Sequence, residues 1–251
     1  PITQTAEELV EVLAEARKSN KVFLGGSNGL LQRQMRMFRQ LVSSGRMGET
    51  YLMTIDRCSS RNQEYGMHSL SGKHGSGISS HSGSHNVEWA LYLLGDPNPV
   101  SVQARGYYQT QSLSLSGVPE TYDDDTCIAT VYFDNGATFL FKALRAAPGQ
   151  DKYLMNLYGD KMSLSYDVLK CYKQQSDDCI HLYEHDPILG MQEIIPKFQC
   201  GKTHADMYEH FFSCIRDHIP CISNGDRGLV TMRILDAMEQ SILHGGCQIF
   251  L

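Results

Sequence analysis

Between residues 100 and 183 the apolar side chains recur at every second position, which is the spacing of a strand that buries one face. Segments 100–108, 126–133, 137–143, 153–158, 162–166, 168–172 and 179–183 all show it. Asp134-Asn135-Gly136 and Gly159-Asp160-Lys161 are tight-turn sequences between neighbouring segments. Connections that short force adjacent strands to run antiparallel. The period is helical on both sides of this block. Thr5 to Glu8 has the spacing of a capping box and opens an amphipathic pattern over 5–18. Further helices are expected over 30–42, 87–94, 204–219 and 228–243, with short strands at 21–24 and 50–57. The expected class is α+β: a mainly antiparallel open sheet with helices on one face.

Composition narrows the function. The formal net charge is -6, and a dedicated nucleic-acid binder usually carries a basic excess, so nucleic acid is not expected as a partner. No apolar run approaches the ~18 residues of a membrane span, so no membrane partner is expected either. The eight cysteines contain no CxxC pair, and several lie within apolar patterns. Buried, reduced thiols and a cytoplasmic location fit that arrangement.

Three motifs carry candidate chemistry. Gly25-Gly26-Ser27-Asn28-Gly29 follows a strand-like run and opens a helix-like one, as a phosphate-binding turn does, but it is not GxGxxG. Residues 75–86 are rich in Gly and Ser and place His81 and His85 four apart, on one side of a helix if one forms there. That pair suits a proton relay or two metal ligands, or simple packing. The metal reading has neither the Glu of HExxH nor an obvious third ligand. Asp123-Asp124-Asp125 is either a cation site or, more simply, a solvated strand entrance. Arg57, Arg61 and Lys73 lie in or beside an aperiodic stretch from 58 to 79, long enough to be functional.

Taken in order, these segments resemble the C-terminal two thirds of the glucose–fructose oxidoreductase / inositol dehydrogenase (Gfo/Idh/MocA) family. Pro1 to Glu8 is similar to the residues after the Lys of its Glu-Lys-Pro motif, and Val22-Phe23-Leu24-Gly25 to the last strand of its nucleotide domain. Ser44-Gly45-Arg46-Met47-Gly48-Glu49 resembles its SGxIGE turn, and the run from Gly75 to His85 its GGGxxxDxGxH segment. Asp125-Thr126 with Phe133-Asp134-Asn135-Gly136-Ala137 resembles its DT…FxNGA hairpin. Leu157 to Leu164 resembles IYGTKGSL, and Phe211 to Pro220 with Gly225 to Gly228 its closing helix pair.

The resemblance implies an NAD(P)-dependent oxidoreductase that transfers a hydride between a nicotinamide cofactor, NAD or NADP, and a hydroxyl-bearing carbon of a sugar, glycoside or cyclitol. It implies that residues 1–28 are the last α/β elements of a truncated Rossmann domain, with roughly a hundred residues preceding Pro1. Residues 29–251 would then be the substrate-binding and oligomerisation domain, associating as a homo-oligomer through its sheet face. By the match, His85 is the acid/base and His81 its companion. Asn86, Arg57, Lys73 and Asp125 line the substrate site, Ser27 and Asn28 meet the cofactor, and no metal is used. The family has Asp where this chain has His81, and an imidazole supplies no fixed negative charge. If protonated, it lowers the pKa of His85. Two alternatives stand beside this reading: a non-catalytic scaffold or regulatory subunit of the same fold, and a metal-dependent enzyme using His81 and His85.

Overall fold

The computed structural model of the protein describes residues 2–60, 77–108, 124–173, 178–197 and 203–251. Helix α1 (Ala6–Ser19) starts at the expected capping box, in which the Glu8 amide donates to Thr5 Oγ1 at 3.2 Å and the Thr5 amide donates to the Glu8 carboxylate at 3.4 Å. A short 3-10 turn (Asn28–Leu31) and helix α2 (Arg33–Ser43) lead to strand β1 (Thr50–Ser60). Helix α3 (Ile78–Leu94) follows, then β2 (Pro99–Tyr107), β3 (Thr126–Phe133), β4 (Thr138–Ala147), β5 (Lys152–Gly159) and β6 (Met162–Asp167). Helix α4 (Val168–Lys173), strands β7 (Ile180–Asp186) and β8 (Gly190–Ile194), helices α5 (Thr203–Arg216) and α6 (Gly225–Leu243) and the short β9 (Ile249–Phe250) complete the order.

The strands form one nine-stranded sheet in the order β8-β7-β6-β5-β1-β4-β3-β2-β9. The fold is α+β, and the sheet is open and mostly antiparallel. The exception is β1, which enters between β4 and β5 and runs parallel to β4. That insertion sets Arg57 directly opposite Tyr153 across the β1–β5 ladder. Alternation decides which face is covered. Cys127, Ala129, Val131 and Phe133 of β3, Phe139 and Phe141 of β4, and Met155 and Leu157 of β5 all point into the core. Helices α3 and α6 pack over that face and against each other. In the β3–β4 turn only Gly136 takes positive φ, at 82°.

Three local expectations give way, and two strands were not foreseen. Residues 168–173 form a helix rather than a strand. Val168 and Cys171 are buried at i, i+3 spacing, and Asp167 Oδ1 accepts from the Lys170 amide at 3.0 Å, as a capping residue does. Residues 21–27 pair with no strand among the described residues, although the Gly25 amide donates to the Ser223 carbonyl at 2.8 Å. Helix α3 begins nine residues before its expected start at Val87. Strands β8 and β9 were hidden because an edge strand buries little: Met191 and Phe250 are largely exposed, so no alternation marks them.

Of the cysteines, Cys127, Cys179 and Cys214 are buried and outside any disulfide, as expected, and Cys58, Cys221 and Cys247 are also not disulfide-bonded. Cys171 is disulfide-bonded, against the expectation of reduced thiols. No described helix is long and apolar enough to cross a membrane.

Candidate active site

Helix α3 builds the site, and its N-terminal end is fixed from a distance. Asp124, just before β3, accepts from the Ser79 amide at 2.9 Å and from the Ser79 hydroxyl at 2.6 Å. The Asp124 carbonyl accepts from the Ile78 amide at 2.8 Å. A Cβ at Gly77 would strike the Asp124 carboxylate, so glycine is required for the approach. These contacts explain the early start of α3: the cap comes from another part of the chain. Burial pushes the Asp124 carboxyl up to about 6, against the opposing pull of the Ser79 hydrogen bonds.

One turn further on, the helix is tied to the sheet. The Asn86 side chain donates to the Ser82 carbonyl at 2.7 Å and accepts from the Tyr153 hydroxyl at 2.8 Å. The Tyr153 ring stacks on Trp89 with centroids 5.9 Å apart and planes within 2°. The Arg57 guanidinium lies 5.0 Å from the Tyr153 ring centroid, a cation–π contact, and Arg57 Nη1 donates to Ser82 Oγ at 2.9 Å.

Beside this cluster opens a cleft of about 230 Å³. Helix α3 supplies His85 and Trp89, which lie four apart on one face. Strand β1 supplies Arg57, Cys58 and Ser59, the start of β5 supplies Lys152 and Tyr153, and Asp151 just before it adds a carboxylate. Leu169 and Tyr172 of α4 close one side, and Asn28 and Gly29 form the rim. A space of this size suits one small ring better than an extended ligand, since pockets for drug-sized molecules run to about 300–1,000 Å³.

His85 is exposed to solvent and lines the cleft. Desolvation is the main cause that holds its pKa down at about 4, and nearby positive charges, Arg57 and His81 among them, push the same way. His85 is therefore a neutral imidazole at physiological pH, able to accept a proton. The push from His81 has the sign expected of a second imidazole.

The structure thus brings together Asn28, Arg57 and His85, three of the residues singled out in the sequence. Others fall elsewhere. Asn86 is fully buried with its amide engaged by Ser82 and Tyr153, so it supports the cleft from behind. Asp125 is buried and serves the sheet: its amide donates to the Tyr107 carbonyl and its carbonyl accepts from the Arg145 amide. Ser27 is buried beneath the rim. His81 is exposed one turn before His85 and does not line the cleft. Lys73, Arg61 and Asp123 lie outside the described residues. His81 and His85 acquire no third ligand among the described residues. Trp89 could have been found from its i+4 spacing to His85. Tyr153 could not, because its approach depends on the β1 insertion.

The profile of the oxidoreductase family, C-terminal alpha/beta domain, matches residues 39–249. The chain belongs to the Gfo/Idh/MocA oxidoreductase family. Its relatives include the D-glucoside 3-dehydrogenase of Escherichia coli (strain K12), 22% identical over 252 residues that cover 96% of this chain and 68% of the relative. Among solved structures, the WlbA dehydrogenase from Bordetella pertussis, in complex with NADH and UDP-GlcNAcA, superposes with a TM-score of 0.71 at 17% identity. That match covers 100% of this chain and 70% of WlbA. The aldose-aldose oxidoreductase from Caulobacter crescentus, complexed with glycerol, gives 0.73 at 19% identity, with 100% and 70% covered. At these identities the structural matches establish the shared Gfo/Idh/MocA fold.

Proposed function

We propose that this chain provides the substrate side of an NAD(P)-dependent oxidoreductase acting on a hydroxyl-bearing carbon of a sugar, glycoside or cyclitol. The observation that carries the proposal is the convergence of a neutral His85 with Arg57 and the Trp89 indole in one ring-sized cleft. In this reading residues 1–28 belong to the nucleotide-binding part, and 29–251 form the substrate domain. The relatives point to the substrate class by their names alone, the D-glucoside and aldose oxidoreductases above.

The chain's residues fit the reacting end of such a cofactor. At the rim, the buried Trp89 indole N–H has no partner among the described residues, and Gly29 brings only backbone against it: a Cβ there would stand 2.6 Å from Trp89 Nε1. Asn28 and Gly29 would receive the nicotinamide, and bound nicotinamide supplies the hydride acceptor or donor. No described turn presents a diphosphate site: Gly25 to Gly29 leads into a 3-10 turn of four residues, too short to build a helix N-terminus.

The remaining steps belong to the protein. In the oxidative direction His85 takes the substrate hydroxyl proton as the hydride leaves the same carbon, and in reverse it returns the proton. Arg57, fixed by Ser82 and the face of Tyr153, places a positive charge where the departing proton leaves negative charge behind.

The face of the sheet away from the helices exposes Ile128, Tyr132 and Leu140 beside the ion pairs that Lys142 and Lys152 make with Asp56. Homo-oligomerisation through this face belongs to the same proposal, and a monomer by light scattering would remove that part of it.

The test is NADH or NADPH formation by the complete gene product with inositols and glucosides. His85→Ala is expected to lower kcat by about 10²–10⁴-fold. Unchanged turnover would take His85 out of its role. Absence of nicotinamide binding would favour the scaffold reading.

A further inference from the structure

Away from the cleft, three soft ligands converge where α5 meets the segment leading to α6. His210 and Cys214 lie four apart on α5, so one helix face presents both, and Cys221 arrives from the connecting segment. His210 Nε2 and Cys214 Sγ are 3.4 Å apart, and all three ligand atoms lie within 4.8 Å of one another. His210 and Cys214 are buried and Cys221 is half-buried.

We infer that His210, Cys214 and Cys221 bind one Zn²⁺ ion, with water in the fourth position. Thiolate and imidazole are the ligands zinc prefers, and this trio presents three of them around one point. With Zn–S near 2.3 Å and Zn–N near 2.0 Å, tetrahedral ligand atoms stand roughly 3.5–3.8 Å apart. The His210–Cys214 pair, at 3.4 Å, is already close to that spacing, and the others need to draw in by up to about 1.3 Å. The tautomer is also right. His210 Nε2 accepts from the Ile222 amide at 3.0 Å, so Nε2 carries the lone pair and the ring proton is on Nδ1. The ion takes the place of that amide at Nε2, and both thiols lose their protons to solvent as it binds.

The position gives the ion a structural task. The connection between α5 and α6 has little regular structure and holds His218 at a φ of 53°. Two residues past Cys221, the Ser223 carbonyl accepts from the Gly25 amide and the Ser223 hydroxyl donates to Glu88 at 2.8 Å. A zinc ion there clamps α5 to this connection, and through Ser223 to the 21–27 segment and to α3. None of the three ligands lines the cleft, so the ion takes no part in the proposed chemistry.

The experiment is metal analysis of the protein purified without chelator, with Cys214→Ser, Cys221→Ser and, as a control at an exposed free thiol, Cys247→Ser. About one zinc per chain is expected in the wild type and the control, and about a tenth of that or less in the two ligand variants. If the ligand variants do not fold, Co²⁺ substitution of the wild type decides: a thiolate-to-cobalt charge-transfer band with intense tetrahedral d–d absorption supports the site. Wild-type protein without stoichiometric zinc and without that band would overturn the inference. So would zinc retained in both serine variants, or a Cys214–Cys221 disulfide found by mass spectrometry in the protein as isolated.

Discussion

The Tyr153 hydroxyl donates to Asn86 Oδ1 at 2.8 Å, joining the start of β5 to the middle of the helix that carries His85. Both residues are buried, so removing the donor leaves an unsatisfied carbonyl with no access to water. Tyr153→Phe is expected to cost about 1–3 kcal/mol in urea unfolding. The ring survives in this variant, so the stack on Trp89 and the Arg57 contact should persist. A change within the roughly 0.5 kcal/mol of ordinary surface substitutions would show that the bond does not hold α3 in place.

Desolvation first, with Arg57 among the positive charges that add to it, sets the His85 pKa at about 4. If His85 is the base, kcat/KM for oxidation should hold its plateau down to about pH 5 and fall as pH approaches 4, because protonation removes the acceptor lone pair. Arg57→Met deletes one of the charges that oppose protonation, so the His85 pKa and the acid limb should both move upward. NMR titration of the ring protons reads the first and a pH–rate profile reads the second. A wild-type ring that titrates near 6.5, the value of a solvated histidine, would contradict the desolvation of the imidazole.

Much of the sheet was legible because β3, β4, β5 and β6 each keep one apolar face, and alternation reports that directly. The cleft was legible only where it lies close in sequence or matches the family pattern, as with His85, Asn28 and Arg57. What stayed hidden depends on distant partners. The start of α3 is set by Asp124, 46 positions after Ile78, and no local signal in a Ser- and Gly-rich run marks a helix there. Asn86 reads as a polar residue beside the catalytic candidate. Only the β1–β5 register, which brings Tyr153 to it, shows that its amide is already used. Val168 to Lys173 is ambiguous by period because its apolar residues satisfy both spacings, and the Asp167 cap decides for helix.

Asp124 and His85 make opposite contributions to stability in the same pH window. Asp124 is raised to about 6, above its unfolded value of 3.8, so its folded state favours the proton. The stability this brings is present below pH 3.8 and is lost as pH rises through 6. His85 is lowered from 6.5 to about 4, so its contribution is present above 6.5 and is lost as pH falls through 4. The wild type should therefore show a flattened profile. Asp124→Asn keeps an oxygen that can cap Ser79 but cannot ionise, so its stability relative to wild type should grow between pH 4 and 6 and level off above 7. Thermal melts across that range read the difference, and a constant offset between the two proteins would mean that the Asp124 carboxyl is not raised.

Trp89 is the single tryptophan of the chain, and it forms part of the cleft wall, so its emission reports the site without labelling. A glycoside or inositol that enters the cleft beside this buried indole should change that emission in a saturable way, with the same midpoint as any catalytic KM measured under slow chemistry. Gly29→Ala tests the wall itself. The new methyl would stand 2.6 Å from Trp89 Nε1 and within 3 Å of two further ring atoms, and the stack on Tyr153 leaves the indole little room to retreat. Overpacking of this kind costs about 1–3 kcal/mol, and an indole displaced toward the cleft should emit further to the red. Sugar binding should weaken along with it, because the displaced ring occupies the space the ligand needs. If Gly29→Ala leaves stability, emission and binding unchanged, the Gly29 backbone does not press on Trp89, and the rim of the cleft is built differently.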